Sequence, residues 1–235
     1  MLPERFRGIR VVGDVHGEAA QFAAAIEGAR TRQHYVLQLG DVADRGPDNA
    51  GAWRLVLDLL ETGDGGFVLG NHDHKLRRAL AGRPVSTAHG LDATLAALDA
   101  PLAARVAAAI AAAPAWRAWR GAVFVHGALH PAMLTGPPPP GPATRRTDPV
   151  LACALYGETS GKPRVDGSPE RLYAWVDRIP AGLTVYCGHD MRSRDGKVFV
   201  QPGRAGGRAV FLDTGAGKGG HLSWLDLPRD GDLPP

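Results

Sequence analysis

At 235 residues, with 44% hydrophobic and 22% charged residues, the chain has the composition of an ordinary globular protein, which excludes disordered and fibrous classes. Its formal charge of +3 admits an anionic substrate without marking a nucleic-acid-binding surface. No apolar run approaches the roughly 20 residues that span a bilayer, and Met1-Leu2-Pro3-Glu4-Arg5 leads straight into a strand pattern, so no membrane association and a cytoplasmic setting are expected, with Cys153 and Cys187 as free thiols.

Residues 9–12 read as a buried strand, 18–29 as an alanine-rich helix and 35–39 as a second strand, which together make a β-α-β unit. Trp53, Val56, Leu57 and Leu60 recur at helical spacing over 49–61, and Gly63-Asp64-Gly65-Gly66 closes that helix before a third strand at 67–69. Residues 75–113 carry a helical period and form a helical insert, and 122–126 form a fourth strand. Gly136-Pro137-Pro138-Pro139-Pro140-Gly141-Pro142 can continue neither helix nor sheet and reads as a proline-rich rim loop. Short helices are expected near 148–155 and 170–177, then a fifth strand over 183–189 and a meander at 197–200, 209–212 and 222–227. The expectation is one α/β domain over 1–228, with two packed sheets and helices outside, and a frayed tail at 229–235.

Three consecutive strands end in Gly13-Asp14-Val15-His16-Gly17, Gly40-Asp41-Val42-Ala43-Asp44-Arg45-Gly46 and Gly70-Asn71-His72-Asp73, and two later ones end at His126 and His189. Open α/β sheets assemble sites at the carboxyl ends of their strands, and carboxylates placed there need neutralising. Asp14, His16, Asp41, Asn71, His126 and His189 are a mixed oxygen and nitrogen donor set without thiolate, suited to Mn, Fe, Zn or Mg. Two dications exceed the charge of Asp14 and Asp41, so the centre should stay positive and favour a phosphate substrate, with a hydroxide shared between the metals as the attacking group. Arg45 suits bidentate phosphoryl capture. His72 suits protonation of the leaving oxygen, with Asp44 orienting it.

In order and spacing these motifs resemble the phosphoprotein phosphatase branch of the metallophosphoesterases. The resemblance implies a four-layer α/β/β/α fold of the calcineurin-like metallophosphoesterase kind and two divalent ions, manganese first, with Fe, Zn, Ni or Mg as alternatives. One ion would be held by Asp14, His16 and a bridging Asp41, the other by Asp41, Asn71, His126 and His189. Within the branch, Asn71-His72-Asp73-His74-Lys75-Leu76, His89-Gly90-Leu91 with Thr94-Leu95, Leu155-Tyr156-Gly157-Glu158-Thr159 and Leu212-Asp213-Thr214-Gly215 with Gly219-Gly220 resemble the phosphatase domain of bacterial polynucleotide kinase-phosphatase. That implies a polynucleotide 2′-phosphatase or 2′,3′-cyclic phosphodiesterase, with nucleic acid or nucleotide as partner. Bacterial diadenosine tetraphosphatases share the core motifs and are an alternative, as are serine/threonine protein phosphatases, which in eukaryotes carry Glu where Asp73 stands. A non-catalytic metal- and phosphate-binding protein is the alternative from another class.

Asp213, at a strand end on the same edge, is a further ligand candidate, and Lys75, Arg145 and Arg146 are further substrate-binding candidates. His34 is expected to face solvent, as are His74 and Lys75 on the first turn of a helix, where proximity to His72 is what makes Lys75 a substrate candidate; His130 and His221 are expected to be structural, and Trp116 and Trp119 to be packing residues.

Overall fold

A computed structural model describes residues 2–138, 148–165 and 167–230. Strand β1 (Gly8–Val12) is apolar enough to be buried along its whole length, and it pairs in parallel with β2 (His34–Gln38), which pairs in parallel with β3 (Gly65–Phe67). Each parallel step needs a crossover helix. These are α1 (Ala19–Thr31) and α2 (Asn49–Thr62). The α2 helix starts where the Asp48 carboxylate accepts the Gly51 N–H and stops at Gly63, whose φ of 68° suits a residue without Cβ.

A second sheet has the order β4 (Trp116–Trp119), β5 (Ala122–Val125), β8 (Thr184–Cys187), β10 (Arg208–Phe211), β9 (Phe199–Pro202). Its middle strands β5, β8 and β10 are parallel, with β4 and β9 antiparallel at the edges. The sheets pack face to face through Val11, Leu37, Leu39 and Val68 on one side and Phe124, Tyr186, Val210 and Leu212 on the other, with the rings of Phe124 and Tyr186 stacked at 5.4 Å. Alternation sends Val123, Val125, Val185 and Phe211 to the opposite face, into the outer core with Trp175, Val176 and Ile179. Each large side chain fully buried in this way contributes roughly 1.5–3 kcal/mol.

Outside the first sheet lie α1, α2 and the helical insert: α3 (Asn71–Leu80), α4 (Leu91–Ala97) and α5 (Ala100–Ala112). The other face carries α6 (Pro149–Tyr156) and the 3₁₀ turn Val176–Arg178, with the hairpin β6 (Glu158–Pro163) and β7 (Pro169–Leu172) following α6. The four-layer α/β/β/α arrangement read from the sequence is present. Among the described residues no helix is long and apolar enough to cross a membrane.

Several local expectations are corrected. The third strand lies at Gly65–Phe67, not 67–69, because the backbone of Gly65 packs so near Val36 that a Cβ would stand 2.6 Å from the Val36 carbonyl. The helical insert therefore begins earlier, at Asn71. Trp116-Arg117-Ala118-Trp119 forms β4, where the three-residue tryptophan spacing obscures an edge strand. Residues 170–177 supply β7 and the 3₁₀ turn instead of a helix. The last strands are no meander: β11 (Asp213–Thr214) and β12 (His221–Leu222) form a small ribbon, and β13 (Trp224–Pro228) crosses to the first sheet, antiparallel to β1. Its Asp226 accepts two bonds from the Arg10 guanidinium, both 2.7 Å, and faces His34 Nδ1 at 3.3 Å, so His34 is not a free surface residue. Arg229 beyond it donates to the Phe6 carbonyl, while 231–235 lie outside the described residues. The same holds for 139–147 and so for most of the proline-rich loop and for Arg145 and Arg146.

Candidate metal centre

All of the candidate ligands stand just beyond the carboxyl ends of parallel strands: Asp14 and His16 after β1, Asp41 after β2, Asn71 after β3, His126 after β5 and His189 after β8. Two sheets thus feed one edge. The loops that do this are strained: His16, Asp41, Asp44, Arg45 and His189 all hold positive φ, between 46° and 79°, a region that costs non-glycine residues roughly 1–3 kcal/mol each. Close backbone approach is needed too. A Cβ on Gly188 would stand 2.1 Å from Asp14 Oδ1, and one on Gly40 would stand 2.6 Å from the Gly70 backbone.

The donor atoms converge. His16 Nε2 lies 3.8 Å from Asp14 Oδ2 and 3.7 Å from Asp41 Oδ2. His126 Nε2 lies 3.4 Å from Asp41 Oδ1 and 3.0 Å from Asn71 Oδ1. Two groups have ligand atoms within 4.8 Å of one another, His16, Asp41 and His72 in one and Asp41, His126 and His189 in the other, so Asp41 is common to both. The tautomers are fixed by the backbone. Nδ1 of His16 donates to the Ala43 carbonyl at 3.0 Å and Nδ1 of His126 to the Leu39 carbonyl at 2.8 Å, which turns both Nε2 atoms inward.

The electrostatics fit a cation. Burial, then the neighbouring Asp213 and Asp41, push the Asp14 carboxyl well above the ordinary carboxylate range. Burial pushes His16 down to about 3 and His189 well below the usual imidazole value, so both are neutral, the form that ligates metal. Burial opposes a charged His126, yet the Asp41 carboxylate outweighs it and lifts the imidazole to about 10, so Nε2 holds a proton beside Asp41 that a metal cation would displace. The buried Nε2 atoms of His16 and His189 have no hydrogen-bond partner. Orphaned lone pairs facing crowded carboxylates are unfavourable unless a cation satisfies both, so the residues present fit divalent metal.

His72 stands at the start of α3 with Nδ1 2.6 Å from Asp44 Oδ2 and Nε2 4.0 Å from Asp41 Oδ2. Thr94 donates to the other Asp44 oxygen at 2.5 Å. Burial raises the Asp44 pKa, but the bonds from His72 and Thr94 outweigh it and leave the carboxylate below its usual range. Arg45 is exposed, and among the described residues no hydrogen bond or ion pair engages its guanidinium.

Residues 8–128, just over half the chain, match the calcineurin-like phosphoesterase family. The chain belongs to that family. This calcineurin-like phosphoesterase is 27% identical, over 94% of its length and 91% of the relative, to the asymmetrical bis(5′-nucleosyl)-tetraphosphatase PrpE of Geobacillus thermodenitrificans. It is also 27% identical to the PrpE of Halalkalibacterium halodurans, over 93% and 89% of the two chains. In fold it resembles a candidate diadenosine tetraphosphatase, with a TM-score of 0.61 at 22% identity over 97% and 96% of the chains. A Saccharomyces cerevisiae serine/threonine phosphatase similar to human PP5 gives a TM-score of 0.59 at 15% identity over 98% and 82%.

Other sequence candidates have different partners. Asp213 is buried, but one oxygen accepts from Gly215 N at 2.9 Å and the other from Lys218 Nζ at 3.0 Å, so it neighbours the ligands as half of an ion pair. Lys75 turns from solvent to the site, with Nζ 3.6 Å from Asp44 Oδ2 and 3.0 Å from the Ala88 carbonyl. His130 caps the 3₁₀ turn Pro131–Leu134, as a structural residue should. Sequence reasoning gave Lys218 and Thr94 no role. Lys218 is the one lysine within a glycine run, Gly215 to Gly220, and that was the available signal. Thr94 acts from 50 residues away, which spacing cannot reveal.

Proposed function

We propose that this chain is a binuclear-metal hydrolase of phosphate esters and anhydrides whose substrates are dinucleoside polyphosphates. The curated relatives' names support that substrate over the polynucleotide 2′-phosphatase or 2′,3′-cyclic phosphodiesterase reading, because they span nearly the whole of both chains. The observation that carries the chemistry is the Asp44-His72 pair, at 2.6 Å, set beside a cluster of metal-ligating side chains.

Asp14, His16 and Asp41 would hold one divalent ion, and Asp41, Asn71, His126 and His189 a second, manganese being the proposed metal. Bound there, the ions would supply Lewis acidity and a water of lowered pKa. Arg45, at the rim with a free planar fork, binds the phosphoryl oxygens and sets their orientation. His72 keeps Nδ1–H on the Asp44 carboxylate, which fixes the ring so that Nε2 faces the leaving oxygen, to which its protonated form donates. Asp44 stays ionised for this task because His72 and Thr94 each bond one of its oxygens and Lys75 Nζ lies 3.6 Å from Oδ2, the oxygen that His72 holds. The test is kcat/KM with manganese for diadenosine tetraphosphate, a 2′,3′-cyclic nucleotide and a phosphoserine peptide. We expect the dinucleotide to be preferred at least tenfold, and preference for either of the others overturns the substrate reading.

A further inference from the structure

Beside His72 the surface opens into a cleft of about 420 Å³, walled by His72, Lys75, Arg78, His89 and Tyr156. Its size is that of a small-molecule site. Lys75 and Arg78 lie three residues apart on α3 and so share one helix face. Both reach across to the following loop, Lys75 Nζ to the Ala88 carbonyl at 3.0 Å and Arg78 Nη2 to the Pro84 carbonyl at 3.4 Å, and are held over the cleft rather than left to swing in solvent. No carboxylate lines it among the described residues, although the buried Asp44 carboxylate lies behind Lys75, 3.6 Å from its Nζ, which leaves Arg78 as the cation with no carboxylate beside it. Arg45 adjoins the same loop, since a Cβ on Gly90 would stand 2.6 Å from Arg45 N. Tyr156, 44% exposed, closes the opposite wall, its ring centroid 6.5 Å from that of His189 and its carbonyl bound by Arg171.

His72 stands between Asp41 and this cleft. A group that departs from phosphorus over His72 therefore enters a pocket whose fixed charges are positive. We infer that the cleft binds a leaving group that itself carries phosphates, with Lys75 and Arg78 on its oxygens and Tyr156 as a stacking face for its base. The inference rests on the phosphohydrolase reading above and deepens it, naming the polyphosphate arm as the feature recognised. In the reaction, water forms a new bond to one phosphorus while the bond from that phosphorus to the bridging oxygen breaks. The bridging oxygen keeps the electron pair and leaves on the polyphosphate, and the protons of water pass to the departing phosphate and to solvent. A phosphate leaves as a stabilised anion, so the cations of the cleft take over much of the compensation that an alkoxide would need from an acid.

The test compares diadenosine tetraphosphate with p-nitrophenyl phosphate, both with manganese, in the full chain and in Arg78→Gln and Arg78→Lys. Losing a charge-assisted phosphate contact should lower kcat/KM for the dinucleotide by about 10- to 100-fold, mainly through KM, with a loss for the aryl ester at least fivefold smaller and partial recovery in Arg78→Lys. In the unaltered chain, inorganic tripolyphosphate should inhibit aryl phosphate hydrolysis at far lower concentration than orthophosphate, which tests the cleft even if a variant fails to fold. Equal losses on both substrates in folded variants, or equal inhibition by the two inorganic anions, overturn the cleft and leave the phosphohydrolase reading standing. No turnover of either substrate by the unaltered chain overturns that reading and the cleft with it.

Discussion

The Asp73 carboxylate, in the first turn of α3, accepts the backbone N–H of Asp41 at 2.9 Å from 32 residues along the chain. It also accepts Val42 N at 3.1 Å and Gly70 N at 3.0 Å, so one buried side chain ties the two ligand-bearing loops together. An asparagine there keeps the shape but offers one acceptor oxygen in place of two. Asp73→Asn should cost about 1–3 kcal/mol in stability, as expected for buried donors left unpaired, and should weaken metal retention without removing a ligand. Urea unfolding and metal content after gel filtration check this, and an unchanged midpoint with full metal would remove the bracing role.

Metal dependence is expected from the donor geometry. Chelation should abolish hydrolysis of an aryl phosphate, and manganese should restore it at least as well as magnesium. Asp41 is common to both ligand groups, so Asp41→Asn should lower metal content and rate together, whereas Asp44→Asn should lower rate alone. Elemental analysis of the two variants decides, and equal metal loss in both would invert the roles assigned to these acids.

His72 lies within ligand distance of His16 and Asp41, yet its Nδ1 is committed to Asp44, and the two readings differ in outcome. As an acid, its loss in His72→Ala should slow alkyl phosphate esters by about 100- to 10,000-fold and p-nitrophenyl phosphate much less, since phenolate departs with little help. Metal content should be unchanged. Equal losses on both ester types at full occupancy would show that His72 stabilises charge common to both transition states.

Asp226 gives a pH signature in stability. Burial opposes its charged form, but the Arg10 fork and His34 outweigh burial and hold its carboxyl below the usual 3.8. A depressed acid stabilises the folded state fully above its unfolded pKa and loses that contribution as pH falls through the folded value. Asp226→Asn should therefore lower stability by about 1–3 kcal/mol at pH 7, and the gap from the unaltered chain should narrow as pH falls below about 4. Equal gaps at pH 7 and pH 3.5 would mean that the carboxylate charge is not what joins β13 to β1.

The donor chemistry was legible in the sequence. Gly-Asp-Val-His-Gly, the Asp41 to Gly46 loop and Gly-Asn-His-Asp each come directly after a short apolar run, and a strand presents the residues next in the chain at its carboxyl end, so the donor set could be read locally. The packed sheets were legible too, because strands buried on both faces read as unbroken apolar runs. Contacts that depend on distance through space came from the tertiary structure alone. Asp226 reaches Arg10 from 216 residues away and Thr94 reaches Asp44 from 50, and neither pairing leaves a trace in spacing. The glycine pair in β3 reads as a turn by composition, yet close packing against Val36 makes it a strand. Lys75 reads as a solvated helix residue until the loop bearing Ala88 draws it over the Asp44 carboxylate. Local pattern fixes which groups a segment can offer, and only the packed chain fixes which charges they meet.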